Sequence, residues 1–430
     1  GRRSSHGASL RSPHVSQSPR EIDLVRRRNR HGTPMIRSNV NYSKPPRNAD
    51  PARRHSSAMR ALLAFGQSVW LDDLKRRMTR SGELANLIAK GLRGMTSNPS
   101  IFEHAIASGT DYDEDISRLI QSYPADRDVF EALAIEDVRE AADVFRPVFE
   151  ETRGADGFVS IEVSPALARD TQGSIAAARR LWHAVDRPNV MVKIPGTREG
   201  WPAIERCLTE GININITLLF SVEHYREVAE AYMRALEARL KSGQSIDRLA
   251  SVASMFVSRI DSEVDRRLEG AGAASAALRG SVAIANARLT YAAFQEITHS
   301  DRWRALAKGG ARVQRPLWAS TGTKNPNYSD VRYVESLIGE DTITTIPPAT
   351  LSAFEDHGTI ERTLPGSPGE TADVMAALAK RGIDFADVNR TLEDEAIQKF
   401  NTSLGNILGA LARKRSAFES LLSRPPSGNA

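Results

Sequence analysis

Cysteine is nearly absent: Cys207 is the single one in 430 residues. That excludes an internal disulfide framework and any cysteine-based metal site, and it suits a reducing compartment. No stretch approaches the ~18 uninterrupted apolar residues that a membrane helix requires. Aromatics make up 6% of the chain and are not interleaved with basic residues as in a single-strand nucleic-acid groove. No Gly-x4-Gly-Lys-Ser/Thr loop occurs. Gly270-Ala271-Gly272 lacks a third glycine and follows no strand, which argues against a dinucleotide site. His183 and His224 fall on predicted helices without a second ligand at metal spacing, and they read as surface or core histidines. No repeat of 20–50 residues shows beyond an alternation of strand and helix.

Acidic residues are scarce in one region only. Residues 1–58 hold twelve Arg and one Lys against Glu21, Asp23 and Asp50, a net of +10. Residues 59–430 hold 45 basic and 50 acidic side chains, a net of −5. The whole-chain charge of +5 therefore belongs to the first segment, and no nucleic acid is expected on the remainder. Residues 1–58 have too little apolar surface to offset the entropy of ordering. They read as a basic leader: an extension ahead of a start at Met59 is favoured, beside an organelle transit peptide or a basic tail with its own partner. The expected plan is a leader over 1–58 and one domain over 59–430, with order beginning near Ala61. A cytoplasmic protein without membrane contact is expected, organelle import through residues 1–58 being the alternative.

What the chain does have is eight short apolar runs. They are Ser68–Leu71, Gly94–Ser97, Phe158–Val163, Val190–Ile194, Ile212–Leu219, Leu249–Phe256, Pro316–Ser320 and Thr342–Ile346. Helical patterns separate most of them, among them Asp170–Ala184, Val222–Ser242 and Asp261–Glu296. Strands alternating with helices argue a parallel sheet, and eight such units argue a closed α/β (β/α)8 TIM barrel. The interval 101–157 is too long for one helix and predicts at least three, including Ala107–Tyr123 and Ala125–Val148. Thr371–Lys380 and Leu392–Ala417 predict a helical tail that packs on the barrel or closes over its mouth.

One strand breaks the apolar rule. Asn189-Val190-Met191-Val192-Lys193-Ile194-Pro195 puts a lysine where a branched aliphatic belongs, and lysine is almost never fully buried without a partner or a task. Burial disfavours the charged form of an amine, the state from which it attacks a carbonyl to form an imine. Taken alone, Lys193 reads better as a lysine that reaches the surface or pairs with an acid. Its company changes that reading. Asp72 and Asp73 end the first run, Asn98 follows the second, and Glu162 lies in the third between apolar neighbours. Asn215 and Thr217 share one face of the fifth, Ser254 and Arg259 sit at the end of the sixth, and Lys324 follows the seventh. Each alone has a structural explanation, such as a helix cap or a solvated charge. Together they occupy the strand ends where a barrel enzyme keeps its site. A lysine with acids suits imine chemistry with proton transfer, and the cations suit a phosphate anchor.

These residues resemble the transaldolase family. The motifs are Val-Trp-Leu-Asp at 69–72, Thr-Ser-Asn-Pro-Ser at 96–100, Ser-Ile-Glu-Val at 160–163 and Val-Lys-Ile-Pro at 192–195. They continue with Glu-Gly-Ile-Asn-Ile-Asn-Ile-Thr-Leu-Leu-Phe at 210–220, Ser-Met-Phe-Val-Ser-Arg at 254–259 and Leu-Glu-Asp-Glu at 392–395. The likeness runs from about Ala61 to Leu422 and points to the larger bacterial or plastid-like subgroup. It implies that Lys193 is the Schiff-base lysine for a ketose phosphate, and that Asp72 moves the C4 hydroxyl proton. It further implies that Glu162, with a water held by Thr217, handles protons at the imine. Asn98, Asn215 and Ser254 would bind substrate hydroxyls, and Arg259 the phosphate. No cofactor is implied, because the protonated imine is itself the electron sink, and the partners are sugar phosphates, with a monomer or homodimer both open. The resemblance departs at the second phosphate position, where Arg is usual and Lys324 stands, a point charge without Arg's fork. The motif selects Asp72 over Asp73, which alternation turns to the opposite side. Two alternatives remain at this stage: a fructose 6-phosphate aldolase-like enzyme that releases the three-carbon unit without an acceptor, and a non-catalytic barrel whose basic arm binds nucleic acid.

Overall fold

The computed structural model describes residues 57–107, 109–269 and 278–422. Residues 1–56 of the basic segment and the Gly270-Ala271-Gly272 run lie outside these described residues.

All eight predicted strands form. They are β1 (Gln67–Leu71), β2 (Gly94–Met95), β3 (Phe158–Glu162), β4 (Val190–Pro195), β5 (Ile214–Leu219), β6 (Ser251–Phe256), β7 (Arg315–Ala319) and β8 (Thr342–Ile346). Each pairs in parallel with the next, and β8 returns to β1, closing the barrel. The strands are buried on both faces, inward against one another and outward against helices, which is why they read as continuous apolar runs. Residues that point inward alternate with those facing the helices. One inward position is a glycine for a steric reason. A Cβ on Gly94 would lie 2.5 Å from the Trp70 indole, so the bare backbone of β2 leaves room for that ring.

Two predicted helices were too long. Ala107–Tyr123 is replaced by Asp113–Leu119, which begins after Gly109 and Thr110 with three acids in its first turn, where the helix dipole favours them. Asp261–Glu296 is divided into Ser258–Arg267 and Val282–Thr298. Gly280 stands ahead of the second piece at φ +68°, a left-handed conformation that ends helical winding. The long connection between β2 and β3 does carry three helices: Pro99–Ala107, Asp113–Leu119 and Asp126–Glu151.

Those helices are tied to the barrel by a buried arginine. Arg76, 1% exposed, donates from Nε to Asp137 Oδ1 at 2.6 Å and from Nη2 to Glu136 Oε2 at 3.3 Å, and also binds Asp115. Its guanidinium lies 4.8 Å from the centre of the Tyr112 ring, whose hydroxyl donates to Asp137 Oδ2 at 2.7 Å.

The tail is helical through Pro368–Lys380 and Phe385–Leu422. The second helix packs on Pro99–Ala107, Asp126–Glu151 and Ser258–Arg267. Leu392, Ala396, Phe400, Leu404, Ile407 and Leu411 recur every three or four residues and form its buried stripe. Polar anchors fix its place: Ser100 Oγ to Ser403 Oγ at 2.9 Å, Arg267 Nη1 to Asp387 Oδ2 at 2.7 Å, and Arg415 Nε to Asp126 Oδ1 at 2.8 Å. No helix of the described residues is long and apolar enough to cross a membrane.

Candidate active site

The polar strand-end residues converge on Lys193. In the sheet register Lys193 of β4 stands beside Glu162 of β3 on one side and Asn215 of β5 on the other. Lys193 is 4% exposed; its Nζ lies 3.2 Å from Glu162 Oε2 and donates to the Ser97 carbonyl at 3.3 Å. The amine therefore sits against a carboxylate rather than among apolar groups alone. Burial raises the proton affinity of Glu162 above that of an ordinary carboxylate, against the opposing charge of Lys193. Neither Glu162 oxygen accepts a hydrogen bond of good geometry from the described residues, so the carboxylate keeps spare capacity beside the amine.

Asp72 lies just past β1 and lines the cleft that reaches Lys193. Its Oδ1 accepts from Thr96 Oγ1 at 2.8 Å, and Thr96 Oγ1 also meets Thr345 Oγ1 at 2.9 Å. Burial pushes the Asp72 carboxyl up, with Lys193 and the Thr96 bond pulling the other way. Asp73 does not border this cleft and forms an ion pair with Lys75 at 2.8 Å. Alternation along the chain separates the two neighbouring acids.

The amides are held in different ways. Asn98 caps the helix Pro99–Ala107, its Oδ1 accepting from Ile101 N at 3.1 Å, and the residue lines the cleft. Asn215 is fully buried. It donates from Nδ2 to Ser160 Oγ at 3.0 Å, and its Oδ1 accepts from Ser254 Oγ at 2.7 Å. Of that pair, Ser254 borders the cleft. Thr217 is fully buried, and its Oγ1 has no hydrogen-bond partner among the described residues. It sits where pairing of β5 with β6 shifts between Ile216 and Leu219, and Leu218 next to it takes φ +59°. A bulge with a left-handed non-glycine residue stores local strain, and such irregularities re-aim side chains beside functional sites.

Cations ring the outer end of the cleft. Arg259, in the first turn of Ser258–Arg267, lies with its guanidinium 5.6 Å from the centre of the Phe256 ring. Lys324 is exposed on the loop after β7. Both line the cleft, as does Lys399 of the C-terminal helix. Partial loss of solvation where Lys324 enters the cleft lowers its proton affinity, and the neighbouring charge of Arg259 lowers it further.

The structure thus gathers Asp72, Asn98, Lys193, Ser254, Arg259 and Lys324 around one cleft. Glu162, Asn215 and Thr217 lie behind its wall on β3 and β5. Sequence reasoning missed Thr96 and Thr345, which position Asp72, and it missed Lys399. The apolar spacing of the tail marks which side of that helix is buried, but not which end of the barrel it covers.

A parallel eight-stranded barrel with a buried lysine against one carboxylate, and a second carboxylate in the same cleft, defines a barrel enzyme equipped for imine chemistry. Comparison with known proteins agrees. The sequence model described as transaldolase/fructose-6-phosphate aldolase matches residues 69–411. A transaldolase of Saccharopolyspora erythraea is 49% identical over 355 residues, 82% of this chain and 96% of the relative. One from Trichodesmium erythraeum is 46% identical, over 81% of this chain and 95% of the relative. One from Mycobacterium tuberculosis is 48% identical, over 81% and 94%. The chain belongs to the transaldolase/fructose-6-phosphate aldolase family.

Proposed function

We propose that this chain is a transaldolase of the pentose phosphate pathway. In this reading it moves a dihydroxyacetone unit from sedoheptulose 7-phosphate to glyceraldehyde 3-phosphate, giving erythrose 4-phosphate and fructose 6-phosphate. The observation that carries the reading is the Lys193 amine, buried, 3.2 Å from Glu162 and open to the cleft that holds Asp72.

The residues divide the steps by position. Glu162, whose proton affinity burial has raised, takes a proton from the Lys193 ammonium across their contact. The free amine attacks the C2 carbonyl of the ketose, and the resulting carbinolamine loses water to give the iminium. A water between Glu162 and Thr217 carries the protons of that step, using the unfilled bonding capacity of both. Asp72 then removes the C4 hydroxyl proton. The C3–C4 bond breaks, its electron pair moves to the iminium nitrogen as an enamine, and the aldose leaves. The acceptor aldehyde is attacked by C3 of the enamine, Asp72 returns the proton to the new hydroxyl, and water hydrolyses the imine. Asn98, Ser254 and the Asn215 behind it hold the hydroxyls of the three-carbon unit. Arg259 and Lys324 hold the phosphate at the mouth. Arg259 supplies a planar fork and Lys324 a point charge.

A coupled assay with and without an aldose acceptor tests the reading. Transaldolase activity requires the acceptor; dihydroxyacetone released at full rate without one would make the chain a simple aldolase.

A further inference from the structure

Lys399 has no part in the steps above. It belongs to Phe385–Leu422, outside the eight βα units, yet it faces the same cleft as Arg259 and Lys324. Among the described residues, no ion pair or hydrogen bond engages any of the three. The acid nearest in influence to Lys399 is Glu103, whose Oε1 already accepts from Asn406 Nδ2 at 2.7 Å. Three cations around one opening repel one another. Partial loss of solvation lowers the proton affinity of Lys399, and the charges of Arg259 and Lys324 lower it further. Asp72 offsets part of this on Arg259 and Lys324, and Glu395 on Arg259. Among the described residues none of the three cations has a direct ion pair, and together they make a positive field that attracts an anion.

The position of Lys399 is not accidental to a loose tail. Phe400 beside it is buried, and Ser403 one turn on meets Ser100, two residues after Asn98. The anchors Arg267 to Asp387 and Arg415 to Asp126 hold the helix on either side. The helix therefore presents Lys399 to the cleft that Arg259 and Lys324 also line. A phosphate dianion there meets cations from three separate elements: the helix after β6, the loop after β7 and the C-terminal helix.

We propose that Lys399 is a third ligand of the substrate phosphate, and that through it the C-terminal helix selects phosphorylated over unphosphorylated ketoses. The identity of the sugar rests on the transaldolase reading; the anion site does not. An exposed lysine suits this task, because it adds a point charge beside the fork that Arg259 offers.

The test uses the full chain with Lys399→Ala, Lys399→Arg and, as a remote charge control, Lys308→Ala. Lys308 is exposed at the end of Asp301–Lys308, the helix that leads into the start of β7 and so lies at the other face of the barrel. Binding of inorganic phosphate alone is measured by calorimetry. Imine formation is measured by borohydride trapping with fructose 6-phosphate and with dihydroxyacetone, and KM and kcat are separated for the phosphorylated donor. Loss of one charge-assisted contact at a half-open site is expected to weaken phosphate binding about tenfold. The KM for fructose 6-phosphate rises by the same factor, kcat stays within about twofold, and trapping of dihydroxyacetone is unchanged. Lys399→Arg recovers most of the loss, and Lys308→Ala matches the parent. Unchanged phosphate affinity in Lys399→Ala overturns the proposal. Equal losses with phosphorylated and unphosphorylated donors also overturn it, since they assign Lys399 a structural role. If phosphate binding depends on Lys399 while no donor is trapped by the parent, the anion site stands and the transaldolase reading falls.

Discussion

Arg76 and Lys193 are both cations almost wholly enclosed by protein, at 1% and 4% exposure, and each is paired with a carboxylate. Their surroundings are finished differently. Around Arg76, Asp137 receives bonds from both the guanidinium and Tyr112, while Asp115, Glu136 and the Leu133 carbonyl take the remaining donors. Around Lys193, the Glu162 oxygens and Thr217 Oγ1 keep unused capacity, and Asp72 faces open space. A buried charge with every partner in place holds elements together, here the helices inserted between β2 and β3. A buried charge with partners to spare is kept for something that arrives.

The largest effect that separates the two clusters is on turnover. Lys193→Ala removes the amine, and activity in the coupled assay is expected to fall by about 10⁴-fold or more. Its melting temperature stays within a few degrees of the parent, because sheet pairing already joins β3 to β4 and burial favours a neutral Glu162 once its cation is gone. Arg76→Ala is expected to do the reverse. Leaving Asp137 and its neighbours buried without their cation costs about 3–5 kcal/mol in denaturant unfolding, while kcat per folded molecule changes little. A comparable stability loss in Lys193→Ala would erase the distinction.

Asp72→Asn sharpens the comparison inside the active cluster. With Asp72 as the proposed base at C4, its loss lowers kcat about 10²–10³-fold. Borohydride trapping of dihydroxyacetone persists, because imine formation does not need that proton transfer. The smallest effect is on pH dependence. Burial raises the pKa of Asp72 and of Glu162 above the ordinary 3.8 and 4.5, so both take up protons at a higher pH than free carboxylates. The acid limb of kcat/KM therefore begins above those values, and Glu162→Gln moves it downward. In the structural cluster the sign concerns stability. Asp137 is pushed up to about 6 by burial, so its favourable contribution is complete below pH 3.8 and is lost as pH rises through about 6. Asp137→Asn should flatten that part of the stability curve, read from unfolding midpoints across pH.

The barrel was legible in the sequence for a physical reason. Strands buried on both faces must be apolar nearly throughout, so Val190–Pro195 and Ile214–Leu219 stand out, and so do the polar residues that interrupt them. Period-two alternation then separated Asp72 from Asp73. The helix ends were less legible. A run such as Asp261–Glu296 keeps a helical pattern across Gly280, whose backbone conformation shows only in the fold. Arg76 was invisible because its partner Asp137 lies 61 residues along the chain. Lys399 was invisible because a helical stripe marks a buried side without saying what it is buried against. The motifs pointed to residues at the strand ends that line or back one cleft; the contacts around them from outside the barrel came from tertiary packing.

Borohydride trapping with fructose 6-phosphate, followed by peptide mass mapping, tests the central claim most directly. The account predicts one three-carbon adduct, on Lys193, absent from Lys193→Ala. An adduct on another lysine, or none, would contradict it.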